Sequence, residues 1–341
     1  MSIERSSNNF DFLRLIFASL VIVSHSFPLT GKQEWFEVHT NGQFGLGSLS
    51  VNIFFVLSGY LIFISLKYSK TIKNYLWKRL LRLYPALIIL VLVTMIILPI
   101  FYTGNNIFSE ASYRSYPHRV LSLYKVQYEV NHVFETNPYP KAINGSLWSL
   151  SYEFTMYIVL MLLFPFRKNK SSFILIILGF IISYVLHIYR PEFLSKILSI
   201  IYLDSVELYR LSTYFLTGSL LSFIDLKRIN SFTIRVMLFL ILIASLYFNF
   251  FKFVAPFVLP VLILLIGILK TNYISSIGEK FGDISYGVYI YGFLVQQCLM
   301  SYFKLNVFEL TCYSLIITFL LAYLSWHFIE KPMQKFKNLI L

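Results

Sequence analysis

Residues 10–27 read FDFLRLIFASLVIVSHSF. The stretch is apolar over nearly the ~20 residues needed to cross ~30 Å of hydrocarbon, yet it holds an arginine and a histidine. Similar runs follow along the chain. Ten lie at approximately 12–29, 44–66, 84–102, 147–166, 172–189, 209–226, 231–250, 253–269, 284–303 and 308–328. The composition agrees: of 341 residues, 57% are hydrophobic and 13% charged, against ~25% charged in an average soluble domain. So few charges cannot cover a soluble surface. With 34 Phe, 25 Tyr and two Cys, neither a disordered chain nor a secreted disulfide scaffold fits. The expected fold is an all-α polytopic membrane protein, a bundle of about ten transmembrane helices. Pro256 and Pro260 weaken the run 253–269, and 197–203 could add a short re-entrant piece. No internal repeat or soluble domain is evident, so residues 1–341 read as one transmembrane domain. Its longest connection, 103–146, carries Asn, Tyr, Pro and charge and reads as a partly ordered extracytoplasmic loop.

The net charge of +13 could suggest nucleic acid, but no hydrophilic stretch exists to hold a basic face. The charges fall in short clusters between apolar runs, as in cytoplasmic loops beside anionic lipid. With the N-terminus inside, the inner segments, starting at Arg5, hold 17 Lys and Arg and the outer ones nine. Both termini are therefore expected in the cytoplasm. The polar start with Glu4, Arg5 and Asp11, and the absence of a small-residue cleavage site after the first run, argue against a removable signal peptide.

An ionisable side chain at bilayer depth is costly and points to function. Arg14 and His25 are eleven residues apart, which is about 20° past three full helical turns, so they share a face ~16 Å apart. Arg14 would lie near the inner surface and His25 in the outer half. Taken singly, Arg14 could snorkel and His25 could satisfy itself against a carbonyl; the pair on one face favours function. In the fourth run, NGSLWSLSYEFTMYIVL, Glu153 reaches the same outer level from another helix. Such a carboxylate must be protonated, paired or beside a wet cavity. Asn52 in the second run, with Trp148 and Tyr152 in the fourth, are candidates to contact a substrate at that level. The small pair Ser58–Gly59 reads as helix packing. On the inner side, KRLLRLYP presents Lys78, Arg79 and Arg82 and ends at Pro85. Arginines at i, i+3 beside Arg14 could clamp a phosphate-rich ligand. His327 and Glu330, also i, i+3, read as a structural pair or cap. Six scattered histidines without HxxxH or CxxC give no metal site, and Cys298 and Cys312 read as packing residues.

The blocks FDFLRLIFASLVIVSH, NIFFVLSGYLI, KRLLRLYP, NGSLWSLSYEFTMY, ISYGVYIY and FIEKP, in this order from residue 10 to 332, resemble the acyltransferase-3 family of bacterial membrane acyltransferases. The resemblance implies transfer of an acyl group, most often acetyl from acetyl-CoA, to a hydroxyl of a cell-surface glycan such as O-antigen or capsule, at the bacterial cytoplasmic membrane. It makes Arg14 and His25 the hallmark pair. It associates Arg79 and Arg82, with Lys78 beside them, with the CoA donor at the cytoplasmic side. The soluble SGNH domain of some members is expected to be absent. The chemistry is consistent, because acyl transfer to an alcohol needs a base, suited to a neutral imidazole, and cations for the CoA phosphates. Glu153 could orient the imidazole or bind sugar hydroxyls. The acceptor would be an exported, lipid-linked glycan. A transporter or flippase for a lipid-linked saccharide is the rival reading, though the halves of the chain do not repeat each other. A non-catalytic scaffold would leave the matched depth of His25 and Glu153 unexplained.

Overall fold

The computed structural model describes residues 8–339, the side chains of Glu279 and Asn338 excepted; Glu4 and Arg5 lie outside the described residues. Each of the ten apolar runs contains a helix. In chain order these are α1 (Phe10–Leu29), α2 (Leu46–Tyr68), α3 (Ile72–Ile97), α4 (Trp148–Leu162), α5 (Lys170–Tyr189), α6 (Ser205–Leu221), α7 (Phe232–Tyr247), α8 (Phe251–Gly267), α9 (Ser285–Tyr302) and α10 (Val307–Ser325). Among the described residues there is no strand, only two isolated bridges, Tyr102 to Val133 and Glu129 to Ala142. Among the described residues five helical stretches are long and apolar enough to cross a membrane: α1, α2, α3 continued to Phe101, α5, and α10 continued to Lys337. The α7 and α8 helices are shorter apolar ones.

Local chemistry sets several helix ends. Thr71 caps α3 by accepting from the Asn74 N–H (3.0 Å), and Asp204 caps α6 by accepting from the Glu207 N–H (3.0 Å). Asn306 and Glu309 form a reciprocal capping box that starts α10. The α3 helix departs from expectation at KRLLRLYP. It starts at Ile72 and runs through Pro85 rather than ending there. The proline removes one backbone donor inside the helix, and beside it the Tyr286 hydroxyl donates to the Leu83 carbonyl (3.0 Å). Lys78, Arg79 and Arg82 consequently sit on one continuous helix.

The bundle is tightest where α2 crosses α6. A Cβ added at Gly59 would stand 1.9 Å from the Phe215 carbonyl oxygen, and one at Gly218 2.2 Å from that of Val56. Only glycine permits this backbone contact, which Ser219 Oγ seals by donating to the Gly59 carbonyl (3.0 Å). Gly59 is the packing residue its size suggests. Its neighbour Ser58 is not, because it projects from a different face into the site described next. The 197–203 segment holds a short helix, Ser195–Ile200, and the 103–146 connection holds the helix Ala111–Leu121 packed along α3.

Candidate active site

Between the first turns of α1, the middle of α2, the basic turn of α3 and the face of α4 lies a cavity of about 360 Å³, within the ~300–1,000 Å³ usual for small-molecule sites. Arg14, Lys78, Arg79, Arg82 and Glu153 all line it. Five residues from three helices, each selected in the sequence by charge alone, therefore meet in one space.

The cations are held in different ways. Asp283 Oδ2 accepts from Arg14 Nη1 (3.2 Å) and from Arg82 Nη2 (2.9 Å), so one carboxylate bridges α1 and α3. Arg14 Nη1 also meets Asp11 Oδ1 (3.1 Å), and Ser285 Oγ donates to Asp283 Oδ1 (2.6 Å). Gly282 places this aspartate: its φ of +85° and the Trp326 indole nitrogen 2.0 Å from a built Cβ exclude any side chain there. Arg79 has no such acidic partner close by. Its guanidinium lies about 6 Å from the Tyr75 and Tyr157 rings, donates from Nη2 to Ser65 Oγ (3.2 Å), and leaves Nε buried without a partner. A buried donor without an acceptor is costly in a finished fold and fits a site that receives an anion.

Deeper along α4, Glu153 Oε1 accepts from Ser58 Oγ (3.1 Å) and from the Tyr157 hydroxyl. Farther still, the Ser149 and Tyr289 hydroxyls bond to each other (2.7 Å) at the end of the cavity. His25 is absent from the lining. Its ring packs edge-on against Phe293 at 5.1 Å, and its Nδ1 is buried without a partner. Phe293 follows Tyr289 by one turn of α9, about 6 Å, so His25 meets α9 one turn past the cavity-lining Tyr289. The matched depth of His25 and Glu153 read from the sequence therefore does not bring them into one lining.

The other candidates are engaged elsewhere. Asn52 Oδ1 accepts from Arg210 Nη1, and Arg210 also holds Glu207 (Nε, 3.1 Å). Trp148 packs on Tyr152 at 5.6 Å, and the buried Tyr152 hydroxyl accepts from the Asp204 N–H (3.0 Å). His327 and Glu330 do not pair. His327 Nδ1 meets the Tyr323 carbonyl (2.9 Å), whereas Glu330 is buried and accepts from Ser325 (3.0 Å), on a π-helical turn, Trp326–Glu330, beside the cavity. The sequence reading missed Asp283, Ser58, Tyr157 and Tyr289. Asp283 had a signal, because three inner arginines below a bilayer need a counter-charge. The hydroxyls had none, since the chain has 25 tyrosines. Among the described residues no group of three or more His, Cys, Asp or Glu side chains could hold a metal ion.

Comparison with known proteins fits this geometry. The chain is 27% identical over 340 residues to an O-acetyl transferase of Shigella phage Sf6, covering 95% of each chain. It is also 27% identical over 388 residues to Nodulation protein 10 of Rhizobium leguminosarum bv. viciae, covering 97% of this chain and 94% of that one. No solved structure matches. A family model described as an acyltransferase domain matches residues 7–327, nearly the whole chain, and the chain thus belongs to the acyltransferase-3 family and is an acyltransferase.

Proposed function

We propose that this acyltransferase moves acetyl from acetyl-CoA to a hydroxyl of a cell-surface polysaccharide, such as O-antigen or capsule, in the bacterial cytoplasmic membrane. The observation that carries the reading is the single cavity in which Arg14, Lys78, Arg79 and Arg82 surround the entrance and Glu153 stands deeper. Cations grouped at a membrane edge, one with an unpartnered buried N–H, suit the phosphates of a CoA thioester. The ten helices are read as ten spans with both termini in the cytoplasm, which puts the basic mouth on the side where CoA is made.

The pantetheine arm would then run past Glu153 towards Tyr289, and the acceptor, an exported lipid-linked glycan, would approach from the outer side. His25 acts as general base. Its neutral nitrogen takes the acceptor's hydroxyl proton while the oxygen attacks the thioester carbonyl; the C–S bond breaks, and the leaving thiolate takes the proton back from the imidazolium. The orphaned Nδ1 is consistent with an imidazole awaiting a partner. Tyr289 and Phe293 stand between the cavity and His25 in this conformation, so the Ser149–Tyr289 hydrogen bond must open for transfer. Because Glu153 lines the cavity and His25 does not, Glu153 as base is the second reading.

Membranes containing the chain, supplied with radiolabelled acetyl-CoA and polysaccharide from cells lacking it, test the proposal. Label on the polysaccharide with stoichiometric CoA release is expected. Label absent from polysaccharide and found only on lipid or protein would contradict it.

A further inference from the structure

A second hollow, about 590 Å³ and open, lies on the opposite side of α4, between the 124–128 segment and the connection into α6. Tyr124, Lys125, Tyr128, Lys196, Tyr202 and Asp204 line it. Three features mark it as built. Tyr128 and Tyr202 are 40% and 53% exposed, although each carries a large ring. The Lys125 ammonium stands 5.0 Å from the Tyr202 ring centroid, a cation–π contact that leaves the ammonium near the open space. The backbone takes a left-handed conformation, uncommon outside glycine, at the lining residue Tyr202 (φ +59°) and at Leu123 and Leu194 (φ +64° and +58°), the neighbours of lining residues Tyr124 and Ser195.

The hollow shares a wall with the cavity. Thr155 Oγ1 donates to the Tyr124 hydroxyl (3.2 Å), and the Tyr152 hydroxyl accepts from the Asp204 N–H (3.0 Å); both side chains come from α4, whose other face carries Ser149 and Glu153 into the cavity. The α4 helix thus contributes to the walls of both the hollow and the cavity.

We infer that this hollow docks sugar rings of the acceptor, a glycan bearing anionic groups, while a hydroxyl farther along the same chain enters the reaction centre. The inference rests on the reading of the acceptor as a glycan. A sugar ring has a C–H face that packs on tyrosine rings and a rim of hydroxyls that bond to carboxylate and hydroxyl groups. Two lysines against one aspartate favour acidic sugars or phosphodiesters over neutral ones.

The test uses the full chain in lipid nanodiscs, with Cys298→Ser and Cys312→Ser, and Ser199→Cys as a reporter in the hollow's wall. The measured quantity is the rate of labelling by an impermeant maleimide, with polysaccharide extracted from source cells lacking this chain as the probe and dextran as the neutral control. At ten times its Kd the polysaccharide should slow labelling about tenfold, dextran should not, and Tyr202→Ala should raise the Kd about tenfold, which leaves a slowing of about twofold at the same concentration. An unchanged rate overturns the inference. So does labelling that is slow in nanodiscs and fast in detergent whether or not polysaccharide is present, which assigns the hollow to lipid headgroups. Acetyl transfer to the same polysaccharide is scored in parallel. Transfer without protection removes the docking site and leaves the proposed function standing; protection without transfer does the reverse.

Discussion

At the residue scale, Asp283 and Arg79 divide the labour of the basic mouth. Asp283 neutralises Arg14 and Arg82 together at 3.2 and 2.9 Å and ties α1 to α3, so those two arginines are structural as well as cationic. Arg79, set between tyrosine rings with a bare Nε–H, is the more available to an anion. Arg79→Ala is therefore expected to raise KM for acetyl-CoA tenfold or more with kcat largely kept, since its contact would be far from the thioester. A fall in kcat at constant KM would remove it from the donor site. Asp283→Ala leaves two partly buried arginines without their shared acid, a loss of about 3 kcal/mol by comparison with broken buried ion pairs, visible as a lower melting temperature in detergent. An unshifted melting curve would show that the bridge contributes little. For His25→Ala, acetyl transfer is expected to drop about 10²–10⁴-fold at normal protein level, the usual cost of losing a general base. If Glu153→Gln shows that loss and His25→Ala does not, the roles of the two residues are reversed.

At the element scale, the α2–α6 crossing fixes the face of α2 that turns Ser58, Phe54 and Phe55 to the cavity. Gly59 and Gly218 meet backbone, which cannot move aside as a side-chain tip can. Gly59→Ala should cost about 1–3 kcal/mol, the range for overpacking, and Gly59→Leu should prevent stable assembly. Both are readable as folded yield by size-exclusion chromatography, and a wild-type profile for Gly59→Leu would refute the close crossing. Here the sequence was partly legible. Hydropathy located a helix in every run, because an apolar stretch in lipid has to satisfy its own backbone. It placed the start of α3 about a turn past Arg79, since Pro85 and three cations looked like a boundary. Cations at the inner surface extend a helix out of the hydrocarbon as readily as they end it, and no local pattern separates the two outcomes.

At the scale of the whole molecule, the clustering of charge was legible, and the level and facing of His25 were not. Counting residues from the ends of the runs put Arg14 near Arg79 and Arg82, and the cavity unites them. The same counting put His25 and Glu153 at one level, yet His25 meets Phe293 one turn past Tyr289, which bonds Ser149 one turn from Glu153, and counting does not say which way a helix face turns. Glu153 faces the basic cavity, and His25 faces Phe293 beyond the Tyr289 barrier. The pairing of Asn52 with Arg210 escaped notice for the same reason. The arrangement that results is ordered along its length: cations and Glu153 in the cavity, His25 on Phe293 one turn of α9 past Tyr289, and an aromatic hollow across α4. Such an order suits a donor and an acceptor arriving from opposite faces of the membrane. The most direct test is a sided assay in proteoliposomes whose orientation is fixed by impermeant labelling of Lys70→Cys, outside the proposed sites, in a chain carrying Cys298→Ser and Cys312→Ser. Labelled acetyl-CoA is supplied at the face bearing Lys70 and unmodified polysaccharide at the other, then the two are exchanged, then both are placed together on each face. Transfer is predicted only when acetyl-CoA is at the Lys70 face and polysaccharide at the opposite one; transfer that requires both on the same face would contradict the account.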